Sequence, residues 1–121
     1  MDSPATSLRL GTRNSALARW QSNWVAEQLR AFGIVVDLVT ITTEGDVDQR
    51  PIGPLSGRGL FTSALQRALL DNQVDLAVHS LKDLPTEPVE GLALAAVPRR
   101  EIAWDALVSN VASTLDQLPA G

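Results

Sequence analysis

The sequence predicts an α/β domain built on a mostly parallel sheet, and three observations carry that prediction. Short apolar, strand-like runs alternate with longer segments of helical period. One run, Ile34–Thr42, is apolar on both faces apart from Asp37, which suits a parallel strand covered on both sides. The stretch Val74–Pro85 passes from a strand period into a helix-start signature. In it Val74, Leu76 and Val78 alternate with Asp75, Ala77 and His79. Ser80-Leu81-Lys82-Asp83 then sets a hydroxyl three residues ahead of a carboxylate, the pattern of an N-cap and its capping-box partner, and Pro85 stops any long helix.

Taken in order, Leu8–Thr12 is a first strand. Gly11 through Ser15 is a tight turn in which Asn14 or Ser15 caps the following helix. That helix runs to about Phe32, with Leu17, Trp20, Trp24, Val25 and Leu29 spaced for one broad apolar face and Gly33 as its stop. The Trp20–Trp24 pair is therefore expected in the core. After the Ile34–Thr42 strand comes a long loop through Gly59 containing Pro51, Gly53, Pro54 and Gly57, and loops of that length are functional or mobile. A helix from Leu60 to about Asp71 precedes the Val74–His79 strand. Leu92–Val97 and Ala106–Ser109 read as further strands, and Ser113–Leu118 as one helical turn with Ser113 and Asp116 as a cap pair. The chain closes on Pro119-Ala120-Gly121 without a further element and reads as interrupted.

Bulk composition narrows the function. The 121 residues are 45% apolar and 20% charged, an ordinary globular balance large enough for a real core. The absence of Cys removes disulfides and thiolate chemistry, and a single His argues against a His-based metal cluster. A net charge of −4 argues against general nucleic-acid binding. Met1–Leu10 holds Asp2 and no apolar run, so neither a signal peptide nor a membrane anchor is expected, and the cytoplasm is the default location.

Polar groups collect at three strand or loop ends. The first turn gives Arg13 and Ser15 at a helix N-terminus, whose free N–H groups favour anions. The glycine-flanked loop gives Arg58, and the third strand end gives Ser80, Lys82 and Asp83. In a parallel sheet these ends lie on one edge, so the residues predict a small ligand bearing several carboxylates or phosphates. Alone, Ser-x-x-Asp is usually only a cap, the arginines are usually solvated, and His79 reads as a strand-end residue making a hydrogen bond. Pattern alone reaches an anion-binding α/β domain.

The ordered segments carry more. Gly11-Thr12-Arg13-Asn14-Ser15 with Leu17-Ala18 and Gln21, then Thr43-Glu44-Gly45-Asp46, Gly57-Arg58-Gly59-Leu60-Phe61, His79-Ser80-Leu81-Lys82-Asp83-Leu84-Pro85 and Asp105-Ala106-Leu107-Val108-Ser109 follow one another along the chain. This series closely resembles the amino-terminal part of the porphobilinogen deaminase (hydroxymethylbilane synthase) family, from Leu8 onward. The resemblance implies a lobe like those of type II periplasmic-binding proteins, incomplete as given. Residues 1–100 would form the first domain, lacking its returning strand, and residues 101–121 the crossover into a second.

The resemblance further implies head-to-tail condensation of porphobilinogen, with loss of ammonia, into a linear tetrapyrrole of heme and porphyrin biosynthesis. The product grows on a covalently bound dipyrromethane cofactor. Asp83 would be the catalytic carboxylate, stabilising an electron-poor azafulvene. Lys82, Ser80, Arg58, Arg13 and Ser15 would hold the acetate and propionate groups. The implied partners are porphobilinogen, the growing polypyrrole, and second and third domains, the third supplying the attachment cysteine that this chain lacks. Three departures stand out: Arg58 where the family usually has Lys, Ser63-Ala64 where it commonly has Lys-Glu, and Ile102-Ala103-Trp104 where it tends to continue Asp-Pro-Arg. The rival readings are a non-catalytic solute-binding module of the same fold and an inactive truncated product.

Overall fold

The sheet is organised around its central strand. In the computed structural model, which describes residues 6–43 and 62–120, β1 (Ser7–Thr12) lies between two parallel neighbours in the order β2-β1-β3. It pairs with β2 (Val35–Thr40) over its whole length, from Ser7 opposite Val35 to Thr12 opposite Thr40. On its other side it meets β3 (Leu76–Ala77) through Leu10 opposite Leu76 and Gly11 opposite Ala77. Backbone bonds from Asp75 N–H to Arg9 O (2.8 Å) and Val78 N–H to Gly11 O (3.4 Å) extend that pairing by a residue at each end. The expected Val74–His79 strand is thus present as an extended segment with a short formal ladder.

Successive strand residues face opposite sides, and this places the helices. Leu10, fully buried, packs with Ala26 of α1 (Ala16–Ala31) and Val36 of β2. Its neighbour Gly11 faces Leu65 of α2 (Ser63–Leu70) and Val74. A Cβ on Gly11 would stand 3.0 Å from Leu65 Cδ2 and 3.1 Å from Val74 Cγ2, so the strand comes close to α2 only because this residue has no side chain. The two helices therefore cover opposite faces of β1, the expected α/β layering.

α1 begins and ends as its sequence dictates. Ser15 is the N-cap, its Oγ accepting from Ala18 N–H at 3.3 Å. At the other end Gly33 adopts φ 80°, and Gly33 N–H to Arg30 O with Ile34 N–H to Leu29 O close the helix in a Schellman arrangement. Asn72, at φ 54°, closes α2 in the same way, with Gln73 N–H bonding Ala68 O.

The buried stripe of α1 differs from the expected one. Ser22 and Ala26 are fully buried, whereas Leu17, Trp20 and Trp24 are 55%, 62% and 41% exposed. Small residues win the interior position because they let the helix backbone approach β1, where Ser22 Oγ donates to Thr12 Oγ1 at 2.8 Å. Thr12 in turn donates toward the Ala18 and Arg13 carbonyls. Trp20 and Trp24 are too bulky for that gap and lie outside it. β2 is likewise less covered than its apolar sequence implied: only Val36 is buried, because β2 is an edge strand among the described residues.

Other expectations are corrected further along. Leu92–Val97 and Ala106–Ser109 form no strands, and Leu94, Val97 and Val108 stand 65%, 61% and 92% exposed. A strand needs a neighbour to take its backbone hydrogen bonds, and none of the described residues pairs with either segment. The Ser113–Leu118 turn is a short 3₁₀ turn over Leu115–Gln117, and Asp116 does not act as a cap partner: Gln117 Oε1 instead accepts from Ser113 N–H at 3.0 Å. Glu44 through Phe61 lies outside the described residues. No helix among the described residues is long and apolar enough to cross a membrane.

Across the start of the β1–β3 seam, the Arg9 guanidinium grips Asp75 through Nη2 and Nε (2.8 and 3.1 Å), and the Arg9 backbone N–H adds a third bond at 2.7 Å. The guanidinium hydrogen bonds, then the backbone one, hold the Asp75 carboxyl down at about 2. Both side chains are partly in water, so the stabilisation is screened. It is complete above the ordinary carboxyl value of 3.8 and is lost as pH falls through about 2. We expect Asp75→Asn to be less stable than the parent at neutral pH, with the difference shrinking between about pH 4 and about pH 2, as read by urea unfolding. Overpacking at the Gly11 contact gives a second expectation: Gly11→Ala costs about 1 kcal/mol in the same measurement, and Gly11→Val more.

Candidate functional site

Because β1 and β3 are parallel neighbours, their carboxyl ends emerge side by side. β1 runs directly into the Arg13–Ser15 turn and the N-terminus of α1. β3 runs through Val78, His79 and Ser80 into a 3₁₀ turn, Leu81–Asp83, closed by Asp83 N–H to Ser80 O at 2.9 Å. Between the two ends is a cavity of about 290 Å³. Its first wall is Arg13 and Ser15 with Leu17, Ala18 and Gln21 of α1; its second is Val78, His79, Ser80, Lys82 and Asp83.

Five of the six site residues expected from the sequence thus line one cavity: Arg13, Ser15, Ser80, Lys82 and Asp83. Arg58 lies outside the described residues. Sequence reasoning missed the contribution of α1. Gln21 follows Leu17 at helical spacing and so shares its face, a signal available once the helix start was assigned to the site.

The Ser80–Asp83 pattern does not build a capping box. Ser80 makes no side-chain cap bond; its Oγ donates to Gln21 Oε1 at 3.0 Å, tying the β3 end to α1. Leu84 is already extended at ψ 139°, which suits the residue before Pro85 and leaves only one turn to cap. The Asp83 carboxylate, half-buried, is consequently not spent on the backbone. It carries no hydrogen bond or ion pair among the described residues.

His79 also departs from expectation. Its Nε2 is buried without a hydrogen-bond partner among the described residues. Burial pushes its pKa below the ordinary 6.5; Asp83 opposes that shift and Arg13 reinforces it. The cavity therefore presents a guanidinium, an ammonium, two hydroxyls and an amide around one carboxylate and one unsatisfied imidazole. Such a donor set matches a small molecule with several carboxylates and leaves a single carboxylate to face whatever positive charge develops on it.

A family model described as porphobilinogen deaminase, dipyromethane cofactor binding domain, matches residues 8–121. That family's domain is a type II periplasmic-binding-protein-like fold, in keeping with the parallel sheet and the flanking helices α1 and α2 seen among the described residues. With nearly the whole chain matched, this protein belongs to the porphobilinogen deaminase family, carries its dipyrromethane-cofactor-binding domain, and has a role in tetrapyrrole biosynthesis.

Proposed function

We propose that the chain forms the catalytic-aspartate side of a hydroxymethylbilane synthase, a transferase that condenses porphobilinogen head to tail with loss of ammonia. The observation that carries this reading is the meeting of Asp83 and Lys82 with Arg13 across one cavity at the carboxyl edge of the sheet. Within the reading, residues 1–100 are the first domain and residues 101–121 lead toward a second.

The residues present fit the cofactor. Its pyrroles carry acetate and propionate groups, and the cavity offers Arg13, Lys82 and Ser15 to receive them, with Ser80 joining them by exchanging its bond to Gln21 Oε1 for one to a ligand carboxylate. Arg58 is proposed to add a further cation from its glycine-flanked loop. When bound, the dipyrromethane supplies the nucleophilic pyrrole end on which the product grows. Its attachment cysteine must come from elsewhere, since the sequence has none. Lys82 and Arg13 fix the side-chain carboxylates and so orient the pyrrole over Asp83.

Asp83 acts at the reacting ring. As the carbon–nitrogen bond to the departing ammonia breaks, positive charge spreads onto the pyrrole nitrogen, and the Asp83 carboxylate accepts that N–H and stabilises the charge. As a new carbon–carbon bond forms at the methylene carbon that has lost ammonia, the same carboxylate would receive the proton shed by the nucleophilic pyrrole's ring carbon. A carboxylate held free of backbone caps is suited to both tasks.

In a complete enzyme carrying this domain, Asp83→Ala is expected to lower kcat by at least about 10²–10³-fold in a porphobilinogen-consumption assay, with circular dichroism unchanged. Near-normal turnover would contradict the assignment. Lys82→Gln and Arg13→Gln are expected to raise KM by roughly tenfold or more, the loss of a charge-assisted hydrogen bond. The 121-residue chain by itself is expected to bind porphobilinogen without turning it over; a non-catalytic binding module would instead bind equally well after Asp83→Ala and support no turnover in any complete form.

A further inference from the structure

The mechanism above leaves one titratable residue of the cavity lining unused. His79 lies on the cavity wall between groups of opposite charge, Asp83 on its own segment and Arg13 on the β1–α1 turn, with Lys82 on the same wall and uncharged Gln21 facing it from α1. Its Nε2 is buried and makes no hydrogen bond among the described residues. A buried polar nitrogen without a partner is costly, by about 1–3 kcal/mol, and is rarely retained without a use.

We infer that His79 is an additional carboxylate-binding residue, taking one proton from solvent when an anionic ligand enters the cavity and binding it as imidazolium. The inference rests on the reading of the cavity as a carboxylate site and names the residue that couples it to protons. In the ligand-free cavity, desolvation and Arg13 disfavour a charged ring, and the lone Asp83 carboxylate is the only counter-charge among these groups. An entering carboxylate supplies a second negative charge. It also supplies an acceptor for the ring N–H, which a rotation about the soft χ2 torsion can present. Binding and proton uptake are then linked, and the sign follows. The protonated protein binds more tightly, so affinity is greatest below the ligand-free titration and falls as pH rises through the ligand-bound one.

His79 is the only histidine in the sequence, so its imidazole NMR signals are unambiguous. The experiment titrates those signals in the 121-residue chain alone, with saturating glutarate, and with porphobilinogen. It is paired with glutarate affinities for the parent and His79→Gln from about pH 5.5 to about pH 8. The expected result is a rise in the His79 midpoint of about one unit or more with glutarate bound, and an affinity in the parent that drops roughly tenfold across the range. His79→Gln should bind with an affinity that is flat over the same range. An unmoved midpoint with glutarate bound, or wild-type pH dependence in His79→Gln, would overturn the inference, as would failure of any carboxylate to bind. If glutarate raises the midpoint while porphobilinogen does not bind, the role of His79 stands and the porphobilinogen reading falls. Should His79→Gln not fold, the midpoint shift in the parent chain decides alone.

Discussion

The parallel contact between β1 and β3 is short, two residue pairs in its formal ladder, yet the site depends on it. It aligns Gly11 with Ala77, so the two chains leave the sheet together and in the same direction. The charged groups of the cavity come from the residues just beyond that point, and Gln21 adds an amide from α1. The constraint is steric as much as it is hydrogen-bonded: Gly11 must lack a side chain for Leu65 and Val74 to sit against the strand. At the opposite end of the seam the Arg9–Asp75 pair fixes the register from which the site residues are counted. A slip by one residue would turn Lys82 and Asp83 away from Arg13.

Beyond the seam, local hydrogen bonds decide which groups remain available to a ligand. Ser15 is partly engaged, as a helix cap, and Ser80 is engaged with Gln21. The second of these bonds ties the two walls together. Asp83 is left out of them, and so is the buried nitrogen of His79. The result is a site in which the supporting polar groups are satisfied internally, while the Asp83 carboxylate and His79 Nε2 have no hydrogen-bond partner among the described residues. The buried Ser22–Thr12 hydroxyl pair beneath the first turn belongs to the supporting set.

Much of this was legible in the sequence, for identifiable reasons. The first strand, the long helix and its glycine stop were readable because cap chemistry and period agree there, as Ser15 and Gly33 show. The meeting of Arg13, Ser15, Ser80, Lys82 and Asp83 was readable because strand carboxyl ends share an edge in a parallel sheet. The side of the helix that faces inward was not readable from apolarity. Close approach to the strand rewards small residues, so Ser22 and Ala26 displaced the tryptophans. The strands expected at Leu92–Val97 and Ala106–Ser109 failed because apolar, β-favouring composition describes a segment's preference, and a strand requires a partner as well. Ser80-x-x-Asp83 misled in a third way: the motif matched a cap, while Pro85 left no helix to cap. Arg58 falls outside the described residues.

The central claim is that one cavity, at the joint carboxyl ends of β1 and β3, receives the carboxylate groups of a pyrrole substrate. Its most direct test is a backbone amide chemical-shift map of the 121-residue chain titrated with porphobilinogen. The account predicts saturable shifts concentrated at Arg13, Ser15, Gln21 and Ser80–Asp83, on both walls together. Shifts centred instead on β2 and α2, or on one wall without the other, would contradict it.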